Sequence, residues 1–252
     1  MSPHLRFFIT SPPAAGRVRI EGDEALHAVK VFRAKPGDAI VLFDGTGVEH
    51  SGVVERATKS TLDVRIESSV AVDREPPASI ALASAIPKSA HFDDAFRSCC
   101  ELGLASFLPI ECERSVVHPS AARVERWRRI AVEASKQSRR TRVTDVFEPV
   151  PLRKALERRA GLRALLSAGA ETTLVRLLTA APHPPAQSIL LLVGPEGDFT
   201  REEFALAAEA GLFPAALGAS TLRVETAIVA AVAAAALVPT ATGGGGGRPA
   251  KP

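Results

Sequence analysis

Two short stretches carry residue types that can do chemistry. In the first, Gly194-Pro195-Glu196-Gly197-Asp198-Phe199 follows the apolar run Ile189 to Val193 and precedes Thr200-Arg201-Glu202-Glu203. The glycines let backbone approach a ligand closely, Pro195 stiffens the turn, and Thr200 with Glu203 has the spacing of a capping box. The pattern predicts a strand, a tight loop and a helix start, which is where α/β domains hold their ligands; a merely structural turn is the alternative. Neither GxGxxG nor GxxxxGK[ST] is present, so this is not a dinucleotide or nucleoside-triphosphate loop. In the second stretch, Leu217 to Ala227, Arg223 sits just before an apolar helix beginning at Glu225 or Thr226. Arginine is poor core filler there; it either faces the pocket or serves as a cap or as a salt-bridge partner, for example of Glu196.

A third stretch is basic. Arg123, Arg126, Arg128, Arg129, Lys136, Arg139, Arg140 and Arg142 stand against only Glu125 and Glu133, an excess larger than the net charge of +3 for the whole chain. Val124, Trp127, Ile130, Ala131 and Ala134 recur at spacings of three and four, so the stretch reads as a helix that packs one stripe and fans its cations into solvent. That face is either simply solvated or suited to a polyanion such as RNA.

The elements that must position these groups fall into two rhythms. Up to about Val72 the chain reads as short strands, Phe7 to Thr10, Arg17 to Glu21, Ala39 to Phe43, Val48 to Ala57 and Leu62 to Val72, separated by turns such as Pro36-Gly37-Asp38. One helix, Asp23 to Phe32, places Leu26, Val29 and Phe32 on one face. This is a small β-rich barrel or sandwich. After a linker at Asp73 to Ala78, apolar strands (Ile80 to Ile86, Phe107 to Ile110, Leu162 to Ser167, Ile189 to Val193, Ala215 to Leu217) alternate with helices. The helices are Phe92 to Leu102, Val124 to Gln137, Leu152 to Arg159, Thr173 to Thr179, Glu202 to Ala210 and Glu225 to Val238. The second domain is α/β with a mainly parallel sheet, and Val143 to Pro151 is an irregular crossing segment. The expected domains are 1–72, 78–240 and a disordered tail at 241–252, where five consecutive glycines cannot bury apolar area.

With 252 residues, 46% apolar and 23% charged, wholesale disorder is excluded. No uninterrupted apolar run is long enough to span a bilayer, and no signal-like segment opens the chain, so the expected compartment is the cytoplasm. Three cysteines form neither a CxxC pair nor a disulfide framework, and metal-ligand spacing is absent; they are expected to be buried packing residues, with no metal site.

Taken together, the motifs resemble the knotted SPOUT-class RNA methyltransferases, and among them the RsmE-type enzymes that methylate uridine N3 in 16S ribosomal RNA of the small subunit. The resemblance runs from Arg6-Phe7-Phe8 to the last apolar helix. It rests on His27 with Val31-Phe32-Arg33 and Pro36-Gly37-Asp38, Glu101-Leu102-Gly103, Pro109 with Glu113-Arg114, Glu133-Ala134 with Gln137-Ser138 and Arg140, Gly194-Pro195-Glu196-Gly197, and Leu217-Gly218 with Leu222-Arg223 and Glu225-Thr226-Ala227. The chain departs from the family pattern at Asp198, where a second Gly is usual, at Ser220-Thr221, where Arg-Ile is usual, at Arg97-Ser98 and at Thr144.

The resemblance implies a PUA-like β-barrel that binds RNA, followed by an α/β domain threaded into a trefoil knot and working as a homodimer. It implies that S-adenosylmethionine binds within the knot, near Leu166 and Ser167, Gly194, Glu196 and Gly197, and Leu217, Gly218, Leu222 and Arg223. Arg223 is the expected electrostatic stabiliser of the target base and Glu196 the expected proton acceptor. Arg33, Arg114, Arg139, Arg140 and Arg142 are the expected RNA contacts. Two rival readings use the same scaffold: a ribose 2'-O-methyltransferase, and a noncatalytic RNA-binding or ribosome-assembly protein.

Overall fold

A computed structural model describes residues 5–180 and 188–238, and the expected disordered tail lies outside the described residues. The chain divides into two compact units, one taking the residues up to Glu75 together with Arg128–Thr144, the other taking Pro76–Trp127 and the residues from Asp145 on.

The first unit contains β1 (Leu5–Phe8), β2 (Arg17–Glu21), α1 (Gly22–Lys30), β3 (Ala39–Phe43), β4 (Val48–Ala57) and β5 (Thr61–Ala71). The sheet order is β1-β3-β4-β5-β2, with β1 parallel to β3 and the other pairs antiparallel. Phe7, Ile20, Leu42, Val54 and Leu62, one from each strand, join Ala25 and Ala28 of α1 in a single core. Both edge strands therefore face the same interior, as in a small barrel. The strands alternate because one face is buried and the other wet. At the β4 bulge a Cβ on Gly52 would lie 2.4 Å from the Arg65 carbonyl oxygen, so glycine is required there.

Helix α1 ends two residues before its expected end. The Val31 and Phe32 amides both donate to the His27 carbonyl, the Ala34 amide returns to Ala28, and Arg33 takes a left-handed backbone with φ of 54°. The residues that α1 buries are Ala25 and Ala28, with Leu26 and Val29 only partly covered, and Phe32 leaves the face expected for it and is 40% exposed.

A second correction concerns the basic stretch. Helix α3 (Ala121–Ser138) ends at Arg139, whose φ of 60° turns the chain inward. Arg140 is 3% exposed, and its guanidinium is held by the Glu75 carboxylate. Lys136 is drawn to Glu24 and Glu133, at 2.8 and 2.7 Å. These two cations do not fan into solvent, and a buried guanidinium already paired with a carboxylate is not placed to meet an RNA phosphate.

The second unit holds β6 (Ser79–Ala85), α2 (Phe92–Glu101), β7 (Leu104–Glu111), β8 (Asp145–Val146), β9 (Val150–Pro151), α4 (Leu152–Leu156), β10 (Leu162–Leu166), α5 (Leu174–Thr179), β11 (Ser188–Val193), α6 (Arg201–Glu209), β12 (Phe213–Ala215) and α7 (Val224–Leu237). Its sheet is parallel, in the order β12-β10-β11-β6-β7-β8, with β9 also on β7. The segment expected to be irregular, Val143 to Pro151, thus contributes two short strands that satisfy backbone groups of β7. The last strand ends at Ala215 rather than Leu217, and α4 stops at Leu156. β12 lies on the far side of β10 from β11, Thr173 bridges Ala216, and α7 then packs on β6, β11, α2 and α5. The resemblance implies that a trefoil-knot threading accompanies this order, an exception to the rule of unthreaded connections. Trp127, at the start of α3, packs among Phe92, Phe96 and Phe107 and donates to Asp93 at 2.8 Å.

Candidate active site

Three parallel strands end level. Leu166 pairs with both Val193 and Ala215, so the loops leaving β10, β11 and β12 emerge at one edge of the sheet. Between them is a cavity of about 320 Å³, within the range of small-molecule sites. Seven of the nine residues expected to bind cofactor line it: Leu166, Ser167, Gly194, Glu196, Leu217, Leu222 and Arg223. Gly197 and Gly218 are not among the lining residues. Ala168, Val193, Pro195, Asp198, Ser220, Thr221, Val224 and Ala227 complete the wall.

The β11 loop is held by its own side chains. A Cβ on buried Gly194 would come within 2.9 Å of the Phe199 ring, so this glycine makes room for an aromatic beneath the loop. Asp198 has a left-handed φ of 59°, the backbone that glycine takes without strain; its amide donates to the Pro195 carbonyl at 2.9 Å and its Oδ1 accepts from the Phe199 amide at 2.8 Å. That local hydrogen bond is how an aspartate occupies a glycine position. Thr200 and Glu203 form the expected capping box at the start of α6. Buried Glu203 does more than cap: Oε2 accepts from the Thr200 amide at 2.9 Å, and Oε1 accepts from the Glu113 amide at 2.8 Å. Arg114 Nη1 donates to the Gly197 carbonyl at 2.6 Å, so the loop leaving β7 is fastened once to the loop leaving β11 and once, through Glu203, to α6.

Glu196 and Arg223 both line the cavity, and the salt bridge considered between them is absent; Arg223 has no ion-pair partner among the described residues. Arg223 is the N-cap of α7 and is exposed. Glu196 Oε1 accepts from the Lys88 amide at 3.0 Å. The next residue, Ser89, accepts from the His91 amide through its hydroxyl oxygen at 3.1 Å. The Ser89 hydroxyl, with the charges of Arg223 and His91, holds the Glu225 carboxyl below the usual carboxylate range.

No motif of the sequence marks the loop Lys88 to His91, although it follows the strand at Ile80 to Ile86. The rule that ligands gather at the carboxyl ends of parallel strands is the signal that points to it. Of the expected RNA contacts, Arg33, Arg114, Arg139 and Arg142 are exposed and Arg140 is buried. The three cysteines are free and buried, and burial pushes the Cys112 thiol up to about 12. Among the described residues there is no cluster able to hold a metal ion and no helix long and apolar enough to cross a membrane.

Known proteins with the same organisation carry the argument further. The profile described as an RNA methyltransferase domain matches residues 74–236, and that of an RNA methyltransferase PUA domain matches residues 20–67. The ribosomal RNA small subunit methyltransferase E of Mycobacterium bovis is 33% identical over 237 residues, covering 90% of this chain and 89% of its own. The protein of that name from Bacillus subtilis is 29% identical, covering 82% of this chain and 85% of its own. The crystal structure of a ribosomal RNA small subunit methyltransferase E from Neisseria gonorrhoeae, bound to S-adenosyl methionine, superimposes with a TM-score of 0.81 at 30% identity, covering 92% of this chain and 96% of that one. A match over more than half the chain, and a third of all positions shared along nearly its whole length, make this chain a member of the ribosomal RNA small subunit methyltransferase E family of RNA methyltransferases.

Proposed function

We propose that this protein methylates N3 of a uridine in 16S ribosomal RNA with S-adenosylmethionine as donor, acting as a homodimer in the cytoplasm. The observation that carries the reading is the meeting of three strand-end loops around one cavity that Arg223 lines without an ion-pair partner among the described residues. The cavity suits the donor. Leu166, Val193, Leu217, Leu222 and Ala227 offer apolar wall, while Ser167, Glu196 and Asp198 offer polar atoms to a ligand that carries both polar and cationic groups. When bound, the donor supplies a methyl group already activated as a sulfonium.

The protein's part is then positioning and charge. Uridine N3 is a poor nucleophile while protonated, and loss of its proton spreads negative charge over the flanking carbonyl oxygens. A guanidinium at the head of α7, not neutralised by an ion pair, stabilises that charge, most strongly once the bound strand excludes water. Glu196 accepts the proton. Oε1 is tied to the Lys88 amide, which fixes the carboxylate plane and leaves Oε2 for the base. Arg33, Arg114, Arg139 and Arg142 supply phosphate contacts, and Arg140 is withdrawn from that set.

The test is single-turnover methylation of small-subunit RNA followed by mass spectrometry of its nucleosides. The reading expects 3-methyluridine. A modified ribose, or RNA binding without transfer, would favour one of the rival readings.

A further inference from the structure

Between Arg6 and Lys35 the first unit carries six cations, Arg6, Arg17, Arg19, Lys30, Arg33 and Lys35. The structure divides them. Arg6 is spent on Glu49, Arg17 on Glu55 and Arg19 on Asp63. Lys30, Arg33 and Lys35 are all exposed and have no ion-pair partner among the described residues. They flank an exposed apolar pair on the loop between α1 and β3, Val31 at 63% and Phe32 at 40% exposure.

Two features of this loop lack a structural explanation. An aromatic two residues past the end of its helix is still close enough to the core to bury its ring. Phe32 instead rests on Phe7 at 5.8 Å, 85° between planes, and on His27 at 5.0 Å, and keeps much of its surface in solvent. Arg33 holds a left-handed φ of 54° at the helix exit, where glycine relieves the strain at no cost to packing. An exposed aromatic beside unpaired cations is the composition of a stacking platform for single-stranded nucleic acid, in which rings take bases and cations take phosphates.

We propose that the loop Lys30 to Lys35 is a contact site for single-stranded RNA, with Phe32 stacking on an unpaired base and Lys30, Arg33 and Lys35 meeting the adjacent phosphates. This rests on the reading that the protein acts on RNA, and it assigns to one loop a recognition role that charge alone spreads over the unit. The carboxylate closest in sequence does not spoil the site: Asp38 turns its Oδ2 to the Lys35 amide at 2.9 Å, a backbone partner that leaves the ammonium free.

The experiment measures affinity of the full chain for a fluorescein-labelled single-stranded RNA of mixed sequence, and for a duplex of the same length, across a salt series. Phe32→Leu keeps an apolar side chain against Phe7 and His27 but loses the aromatic face. It is expected to weaken single-strand binding about 5- to 100-fold at every salt concentration, with the salt slope unchanged and duplex binding little affected. Phe32→Trp should bind as well as the parent or better. Replacing Lys30, Arg33 and Lys35 together by Gln should instead flatten the slope by about two units, since each phosphate contact on a single strand contributes about 0.7. Parent-like binding by folded Phe32→Leu, checked by its thermal melt, overturns the stacking role. Failure of the parent to bind either RNA would remove the functional reading along with this one, so the two failures are told apart.

Discussion

The main-chain amide of Lys88 donates to Glu196 Oε1 at 3.0 Å, joining the loop that leaves β6 to the loop that leaves β11. The residue offered as proton acceptor is therefore also a structural tie. Glu196→Gln separates the two duties because its amide oxygen can still accept from Lys88 while its basicity is gone. The expected result is a methyl-transfer rate lower by about 100- to 10,000-fold, with calorimetric affinity for S-adenosylmethionine within a few-fold of the parent. If Gln sustains a near-parent rate, Glu196 only orients the loop.

Gly194→Ala is expected to act on the fold before it acts on the ligand. Its Cβ would lie 2.9 Å from the buried Phe199 ring, so the ring or the loop must shift at a cost of about 1–3 kcal/mol. A thermal melt without ligand reads this directly, and adding Phe199→Leu should restore part of the stability. An unchanged melt would mean that the loop yields freely.

Asp198 tolerates its left-handed backbone because Oδ1 captures the Phe199 amide. Asp198→Asn keeps both the acceptor and the tolerance and should leave stability within about 0.5 kcal/mol of the parent, whereas Asp198→Ala loses both and should cost about 1–2 kcal/mol. Equal melts for the two variants would show that the hydrogen bond contributes nothing.

Glu49 predicts how the first unit responds to acid. Burial raises its pKa, but hydrogen bonds from Arg74 and Arg6 and their charges outweigh that and leave it below the usual glutamate range. A carboxyl depressed in the folded state contributes stability that is present above its unfolded pKa and is lost as pH falls through the folded one. Urea unfolding followed by hydrogen exchange in residues 5–75 should show that loss beginning below about pH 4.5, the unfolded glutamate range, and a flatter pH profile in Glu49→Gln. Identical profiles for parent and variant would place the acid response elsewhere.

How much of this is legible in the sequence depends on whether a signal is local. The strand Ile189 to Val193, the Thr200 and Glu203 cap and the position of Arg223 ahead of α7 are set by neighbours within a few residues, so pattern and spacing reveal them. Arg140 looks like the cations around it because its partner, Glu75, is 65 positions away in the chain. The tie between Lys88 and Glu196 spans 108 positions and uses a backbone amide, which no side-chain pattern records. Phe32 fits the spacing of the buried face of α1, and only the exit of the helix after Lys30 takes it out of the core.

Arg140 and its neighbours give the last test, since equal charges in one short segment should behave in opposite ways. Arg140→Gln removes a buried guanidinium and leaves the half-buried Glu75 without its cation, so the lost charge-assisted hydrogen bonds should cost about 1.5–3 kcal/mol and lower the melting temperature. Replacing exposed Arg139 and Arg142 by Gln should leave the melt nearly unchanged while reducing RNA affinity and flattening its salt dependence by about one to two units, roughly 0.7 for each phosphate that no longer meets a cation. The contrast is informative because weaker RNA binding in Arg140→Gln alone would otherwise be mistaken for the removal of a phosphate ligand. If Arg140→Gln melts like the parent yet flattens the salt slope, the guanidinium reaches RNA in solution and its pairing with Glu75 must open to allow it.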